Sequence, residues 1–212
     1  MKRCVTSMFV LVFGLVGSEA SAHCGKCGIG EKKHDHARAE IGAPAPSFTL
    51  TSTKGEKVSL SDFKSKIIVL EWTNHECPIV KRHVAKKQTM QKTLQRFKDK
   101  GVVWLAIDSS HSCEEKLDGV KAFAKENDVS YPVLLDASGK VGRAYEAKTT
   151  PHMFVIDQKG VLVYSGAIDD DRSFAKSDPR NYVAEAIEAV LNSSTVSVSS
   201  TEPYGCSVKY AK

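Results

Sequence analysis

Residues 67–83, IIVLEWTNHECPIVKRH, decide the architecture. Ile67 to Trp72 is a nearly continuous apolar run of strand length, as a central parallel strand requires. It leads directly to Cys77-Pro78. Proline at the first helical position lacks an N–H that a helix would not use there, so a helix is expected to begin at this point. The free N–H groups and the positive dipole end of such a helix stabilise a thiolate at Cys77. His75 and Lys81 are candidate cations beside it. The alternative is a buried, inert cysteine.

The same rules extend outward. Phe48, Leu50, Val58 and Leu60 alternate about a turn at Gly55 and predict a β-hairpin. The segment 77–98 has few breakers and reads as one helix. Val102 to Ile107 (VVWLAI) is the next strand. Glu114–Glu126 reads as helix, Val133–Leu135 as a short strand and Lys140–Tyr145 as a short helix. Met153–Ile156 and Val161–Tyr164 form a hairpin across DQKG, and Asn181–Leu191 is the last amphipathic helix. Strands alternating with helices and closing on a hairpin argue for an α/β sandwich. Residues 192–203 are rich in Ser, Thr and Val without helical period and are expected to be a flexible linker, leading to PYGCSVKY. Thr150-Pro151 opens a strand, where a proline cannot donate to the ladder.

Thirty basic residues oppose 25 acidic ones among 212, leaving +5, with no basic run that would suggest nucleic acid. The 42% hydrophobic and 26% charged content excludes global disorder and a multi-span membrane protein. Lys2 and Arg3, the apolar run Met8–Val16 and Ala20-Ser21-Ala22 read as a signal peptide, residues 1–22. The run is shorter than the ~20 residues that span a bilayer. Export to a disulfide-permissive compartment is expected, periplasmic in a Gram-negative bacterium and secreted otherwise. No membrane association is expected after cleavage.

Of six cysteines, Cys4 leaves with that segment. The remaining five are an odd number, so at least one is free or paired with another molecule. Residues 23–40 read as a mobile tail, with Cys24 and Cys27 in a CxxC near His23, His34 and His36. This cluster suits an electron-relay dithiol, a copper or zinc site, or a solvated tail with an adventitious disulfide. No organic cofactor is implied. Cys113 reads as a loop thiol without a role or a local partner for Cys77. Glu71 is expected to be exposed by local twist rather than a buried proton acceptor, Trp72 to pack beside the site, and His152 to be a surface residue of the hairpin rather than a catalytic base.

Residues 43 to about 191 resemble the thioredoxin-fold redoxin superfamily, especially its alkyl hydroperoxide reductase/thiol-specific antioxidant group. APAPSFTLTSTKGEKVSLSDF, IIVLEW leading to CP, and TTPHMFVIDQKGVLVYSG carry the likeness. Peroxiredoxin-like proteins with a WTN-x-x-CP-x-V segment and a terminal PYGCSVKY are the nearest group. The resemblance implies a thioredoxin-like three-layer sandwich with an N-terminal β-hairpin extension, spanning 41–191, before a linker and tail at 192–212. It implies that Cys77 is the reactive cysteine, that Pro151 is a cis-proline lying against its sulfur, and that Thr150 offers backbone groups to a peptide or thiol. Asn74 stands where peroxiredoxins carry Thr or Ser, with Thr73 one position off, and it also replaces the first cysteine of a thioredoxin CxxC. No arginine aligns with the peroxide-activating one, and Arg143 is the nearest by sequence.

Cys206, on the expected linker, is a candidate resolving cysteine. A dozen residues at ~3.3 Å each reach roughly 40 Å, across a small domain or to a second subunit. A static staple is the alternative. The expected activity is reduction of peroxides or disulfides by Cys77 with resolution by Cys206. The expected partners are a thiol reductant, a substrate disulfide protein or a small peroxide. The rivals are a metal-binding protein and a catalytically silent domain. The sequence leaves the oligomeric state open.

Overall fold

The computed structural model describes residues 38–211. Nine strands are present among them: β1 (Thr49–Ser52), β2 (Lys57–Ser59), β3 (Ile67–Trp72), β4 (Val102–Asp108), β5 (Val133–Leu135), β6 (Thr149–Thr150), β7 (His152–Ile156), β8 (Leu162–Gly166) and β9 (Cys206–Ser207). The α-helices are α1 (Pro78–Lys81), α2 (Thr89–Phe97), α3 (Leu117–Glu126), α4 (Lys140–Ala144) and α5 (Tyr182–Leu191). Seven strands form one sheet in the order β2-β1-β5-β4-β3-β7-β8, and β6 pairs with β9 separately.

The apolar run in β3 becomes the middle of that sheet because both its edges are paired. Parallel β4 sets Val69 beside Trp104, and antiparallel β7 sets Leu70 beside Phe154. All six residues of β3 are buried. Its alternation divides the core. Ile67 and Val69 face a layer built from α1, α2, α3 and α5, with Val80, Met90, Phe97, Val120 and Ile187. Ile68, Leu70 and Trp72 face Phe48, Tyr145 and Phe154 on the other side. The expected β1–β2 hairpin extends the sheet, because β1 also pairs with β5. This is the expected thioredoxin-like α/β sandwich with its hairpin extension.

Three expectations change. The continuous helix 77–98 is interrupted: α1 passes into a π turn at Arg82–Lys86, and Gln88 takes φ +54° before α2 begins. No Gly or Pro marks this break. The π turn carries His83 and Val84 into the interior, and their burial replaces regular helix pairing. Helix α3 starts at Leu117, three residues late, because 111–116 form turns and Lys116 reaches across to Glu76 at 2.7 Å.

The third change concerns residues 192–203, which were expected to be a flexible linker. They run along the domain instead. Ser165 N–H donates to the Ser199 carbonyl and Thr201 N–H to that of Ser165. Thr201 Oγ1 accepts from Ala167 N–H at 2.9 Å and lies 2.7 Å from the Tyr164 hydroxyl. The low apolar content of this stretch concealed a docking made largely through backbone polar groups. Among the described residues, no helix is long and apolar enough to cross a membrane.

Candidate active site

Cys77 caps α1 with Pro78 in the first helical position, as the strand-to-helix spacing required. The residue is buried, 3% exposed. Sγ lies 3.0 Å from the carbonyl oxygen of Thr150 and 2.9 Å from Sγ of Cys206. Both cysteines are free thiols. The Thr150–Pro151 peptide is cis. Strand β6 pairs antiparallel with β9, with Thr150 opposite Cys206, and so delivers the second sulfur. Gly205 approaches so closely that an added Cβ would stand 2.1 Å from the Thr150 carbonyl oxygen.

The two thiols are electrostatically unequal. Burial opposes ionisation of Cys77, but donation from the Cys206 thiol, the Thr150 hydroxyl and the Val80 and Cys206 N–H groups outweighs it. Cys77 therefore ionises below its ordinary value. Cys206 is pushed up to about 11, first by burial and then by its hydrogen bond to Cys77 and the neighbouring negative charge. The cysteine at the helix start is thus the more acidic of the two, and Cys206 is its proton-bearing neighbour.

The polar floor is held from β3 and β4. Asn74 accepts from Glu76 N–H at 2.7 Å, and its amide donates to Ser110 Oγ at 2.8 Å. Its carboxamide is thereby committed to the loop. Thr73 N–H continues the ladder to Ile107. His75 Nδ1 is buried without a partner, and Nε2 lies where a Cβ on Gly119 would stand, 2.8 Å away.

Glu71 corrects its expected exposure. It is buried and accepts from Trp104 Nε1 at 2.9 Å and from the Tyr131 hydroxyl at 3.1 Å. Burial raises its pKa to about 7 against the pull of those donors. The unbroken burial of β3 on both faces overrides the local twist invoked for it. Trp72 does pack, but on the face opposite Glu71, against Tyr145 and Phe154.

His152 is buried too, not on the surface. Its Nδ1 accepts from Lys148 N–H at 3.3 Å, Nε2 meets Ser165 Oγ at 3.2 Å, and burial pushes its pKa down to about 3. The β7 register pairs it with Trp72 at the end of the two strands, where it is 4% exposed. Arg143 is committed elsewhere: its guanidinium donates to the Ala211 carbonyl at 2.7 Å and lies over the Tyr210 ring. Cys113 is buried, and burial together with nearby acids pushes it up to about 12, whereas the hydrogen-bonding sulfur beside Cys77 is Cys206. His23, Cys24, Cys27, His34 and His36 lie outside the described residues, as does the segment 1–22. Among the described residues, no cluster of His, Cys, Asp and Glu has a metal-binding arrangement.

Sequence reasoning missed one group near the sulfurs. His83, Asp169 and Tyr204 meet in the interior, with His83 Nε2 3.0 Å from the Tyr204 hydroxyl and that hydroxyl bonded to Asp169. The only local signal was a tyrosine two residues before Cys206.

Residues 41–165, more than half of the chain, match the model of the AhpC/TSA family. The thiol-disulfide oxidoreductase ResA of Bacillus thuringiensis is 31% identical over 126 residues, 59% of this chain and 69% of that protein. A hypothetical protein from Sinorhizobium meliloti superposes with a TM-score of 0.73 at 29% identity, covering 81% of this chain and 95% of the other. A putative protein disulfide isomerase from Bacteroides thetaiotaomicron superposes at 0.58 with 26% identity, covering 73% and 91%. The matched segment contains the hairpin extension, Cys77 and Pro151, and it ends before the tail that carries Cys206. The chain therefore belongs to the AhpC/TSA family and is an oxidoreductase enzyme of the thioredoxin and redoxin type.

Proposed function

We propose that the protein catalyses thiol–disulfide exchange, with Cys77 as nucleophile and Cys206 as resolving cysteine. The 2.9 Å approach of Cys206 Sγ to the more acidic Cys77 Sγ carries this reading. The Cys77 thiolate attacks a substrate disulfide R–S–S–R. A Cys77–S–S–R bond forms and R–S⁻ leaves, to be protonated by solvent. Cys77 then no longer bears the negative charge that held up the Cys206 pKa. Cys206 loses its proton more readily, attacks Cys77 Sγ, and expels the second R–S⁻. An external dithiol reverses both steps and restores the reduced pair. The acidity of Cys206 thus rises at the step that needs its thiolate.

A disulfide is favoured over a peroxide as substrate. The Asn74 carboxamide is committed to Ser110 and Glu76, and Arg143 to Ala211, so neither supplies a donor for a peroxide oxygen. An exported location, with cleavage after Ala22, suits an enzyme acting where disulfides persist.

The test compares reduced protein mixed with a small disulfide and with hydrogen peroxide, followed by mass spectrometry. A Cys77–Cys206 disulfide forming faster with the small disulfide is expected. Cys206→Ser should stop at a stable Cys77 adduct, and Cys77→Ser should give neither product. Exchange surviving in Cys77→Ser would overturn the assignment. Faster reaction with peroxide would replace the substrate class.

A further inference from the structure

Tyr204 is the buried anchor of the tail, two positions before Cys206. Its ring packs 5.9 Å from His83 and edge-on to Phe174 at 6.2 Å. Its hydroxyl touches two other parts of the chain. Asp169, just beyond β8, accepts a hydrogen bond from the hydroxyl. His83, on the π turn six residues after Cys77, stands with Nε2 at 3.0 Å. The remaining histidine nitrogen, Nδ1, is 3.2 Å from Thr89 Oγ1.

Donor counting then fixes the proton arrangement. With the tyrosine hydroxyl donating to Asp169, His83 must donate Nε2–H to the tyrosine oxygen, and its Nδ1 must accept from the Thr89 hydroxyl. Burial lowers the His83 pKa and so favours the neutral ring, against the attraction of Asp169. Thr89, His83, Tyr204 and Asp169 therefore form a directional chain of hydrogen bonds. It joins the π turn that follows α1 and the start of α2 to the tail segment just before β9 and to the loop after β8.

We propose that the Tyr204 hydroxyl is a positioning group for the exchange reaction, setting the effective concentration of Cys206 at Cys77 by tying the tail to His83 and Asp169. The inference rests on the Cys77–Cys206 reading above. Closing the pair forms one S–S bond, and its two electrons and two protons convert glutathione disulfide into two glutathione thiols. The ratio of protein disulfide to dithiol in a glutathione buffer therefore measures that concentration.

The experiment equilibrates the full chain and Tyr204→Phe in glutathione and glutathione disulfide, then quenches with acid. Mass spectrometry quantifies the Cys77–Cys206 disulfide and the Cys77–glutathione adduct. Phe keeps the ring and loses the hydroxyl. Its equilibrium constant is expected to fall on the order of tenfold, with the mixed adduct rising. That corresponds to a couple about 30 mV more oxidising. A purely structural role would lower the melting temperature and leave the equilibrium within twofold, which overturns the proposal. If the parent protein itself forms no Cys77–Cys206 disulfide, the underlying reading fails instead. Should Tyr204→Phe not fold, Thr89→Val removes the outer end of the chain. A smaller shift in the same direction is then expected, and an unchanged equilibrium overturns the proposal.

Discussion

At the scale of single residues, acidity separates three cysteines that look alike in the sequence. Cys77 ionises below its ordinary value, Cys206 near 11 and Cys113 near 12. With Cys4, Cys24 and Cys27 replaced by Ser, a pH titration of thiolate ultraviolet absorbance should show its first transition below pH 9, and adding Cys77→Ser should remove it. Glu71 gives a second test. Its folded pKa near 7 exceeds the ordinary 4.5, so the native state holds a proton that the unfolded chain has released between those values. Stability conferred by Glu71 is complete below about pH 4.5, falls as pH rises, and is lost above about 7, by roughly 3 kcal/mol at ~1.4 kcal/mol per unit. Glu71→Gln retains an oxygen for Trp104 and Tyr131. It should match the parent protein near pH 4.5 and exceed it by up to that amount above pH 7, in urea unfolding across the range. The placement of Cys77 at a helix start was legible from its position between a strand and Pro78. The burial of Glu71 was not, because it depends on β4 and β7 closing over both edges of β3.

At the scale of elements, the readable parts were those governed by local periodicity. IIVLEW, VVWLAI, the first hairpin and the strand after Pro151 fell where alternation and turn residues put them. The π turn went unread because neither Gly nor Pro punctuates 82–88. The β6–β9 ribbon went unread because pairing between distant segments leaves no local period. His83 and Tyr204 are 121 positions apart, beyond the reach of any spacing argument. The ribbon depends on Gly205, whose φ of +149° and close approach to the Thr150 carbonyl leave no room for a side chain. Gly205→Ala should lift β9 from β6, slow closure of the Cys77–Cys206 disulfide at least tenfold, and leave the Cys77 adduct as the main product by mass spectrometry.

At the scale of the molecule, the sheet divides labour between its faces. The layer with α1, α2, α3 and α5 includes Cys77, while the opposite layer is an aromatic cluster of Phe48, Trp72, Tyr145 and Phe154. Ring centroids there are 5.0 Å apart for Trp72–Phe154 and 5.4 Å for Tyr145–Phe154. Phe154→Ala should cost about 3–5 kcal/mol in chemical unfolding. Below its melting temperature it should leave the pH midpoint of the Cys77 thiolate unchanged, because the cavity opens on the other side of the sheet.

The two sulfurs come from positions 129 apart, the second from a strand added near the end of the chain. On the proposed exchange, translation supplies the attacking sulfur long before the one that resolves its adducts. By the same exchange, a polypeptide lacking Cys206 would still cleave a disulfide and keep one half of it on Cys77 until an outside thiol released it. On that reading, turnover without an outside thiol requires both segments, and copies lacking the second become stoichiometric scavengers.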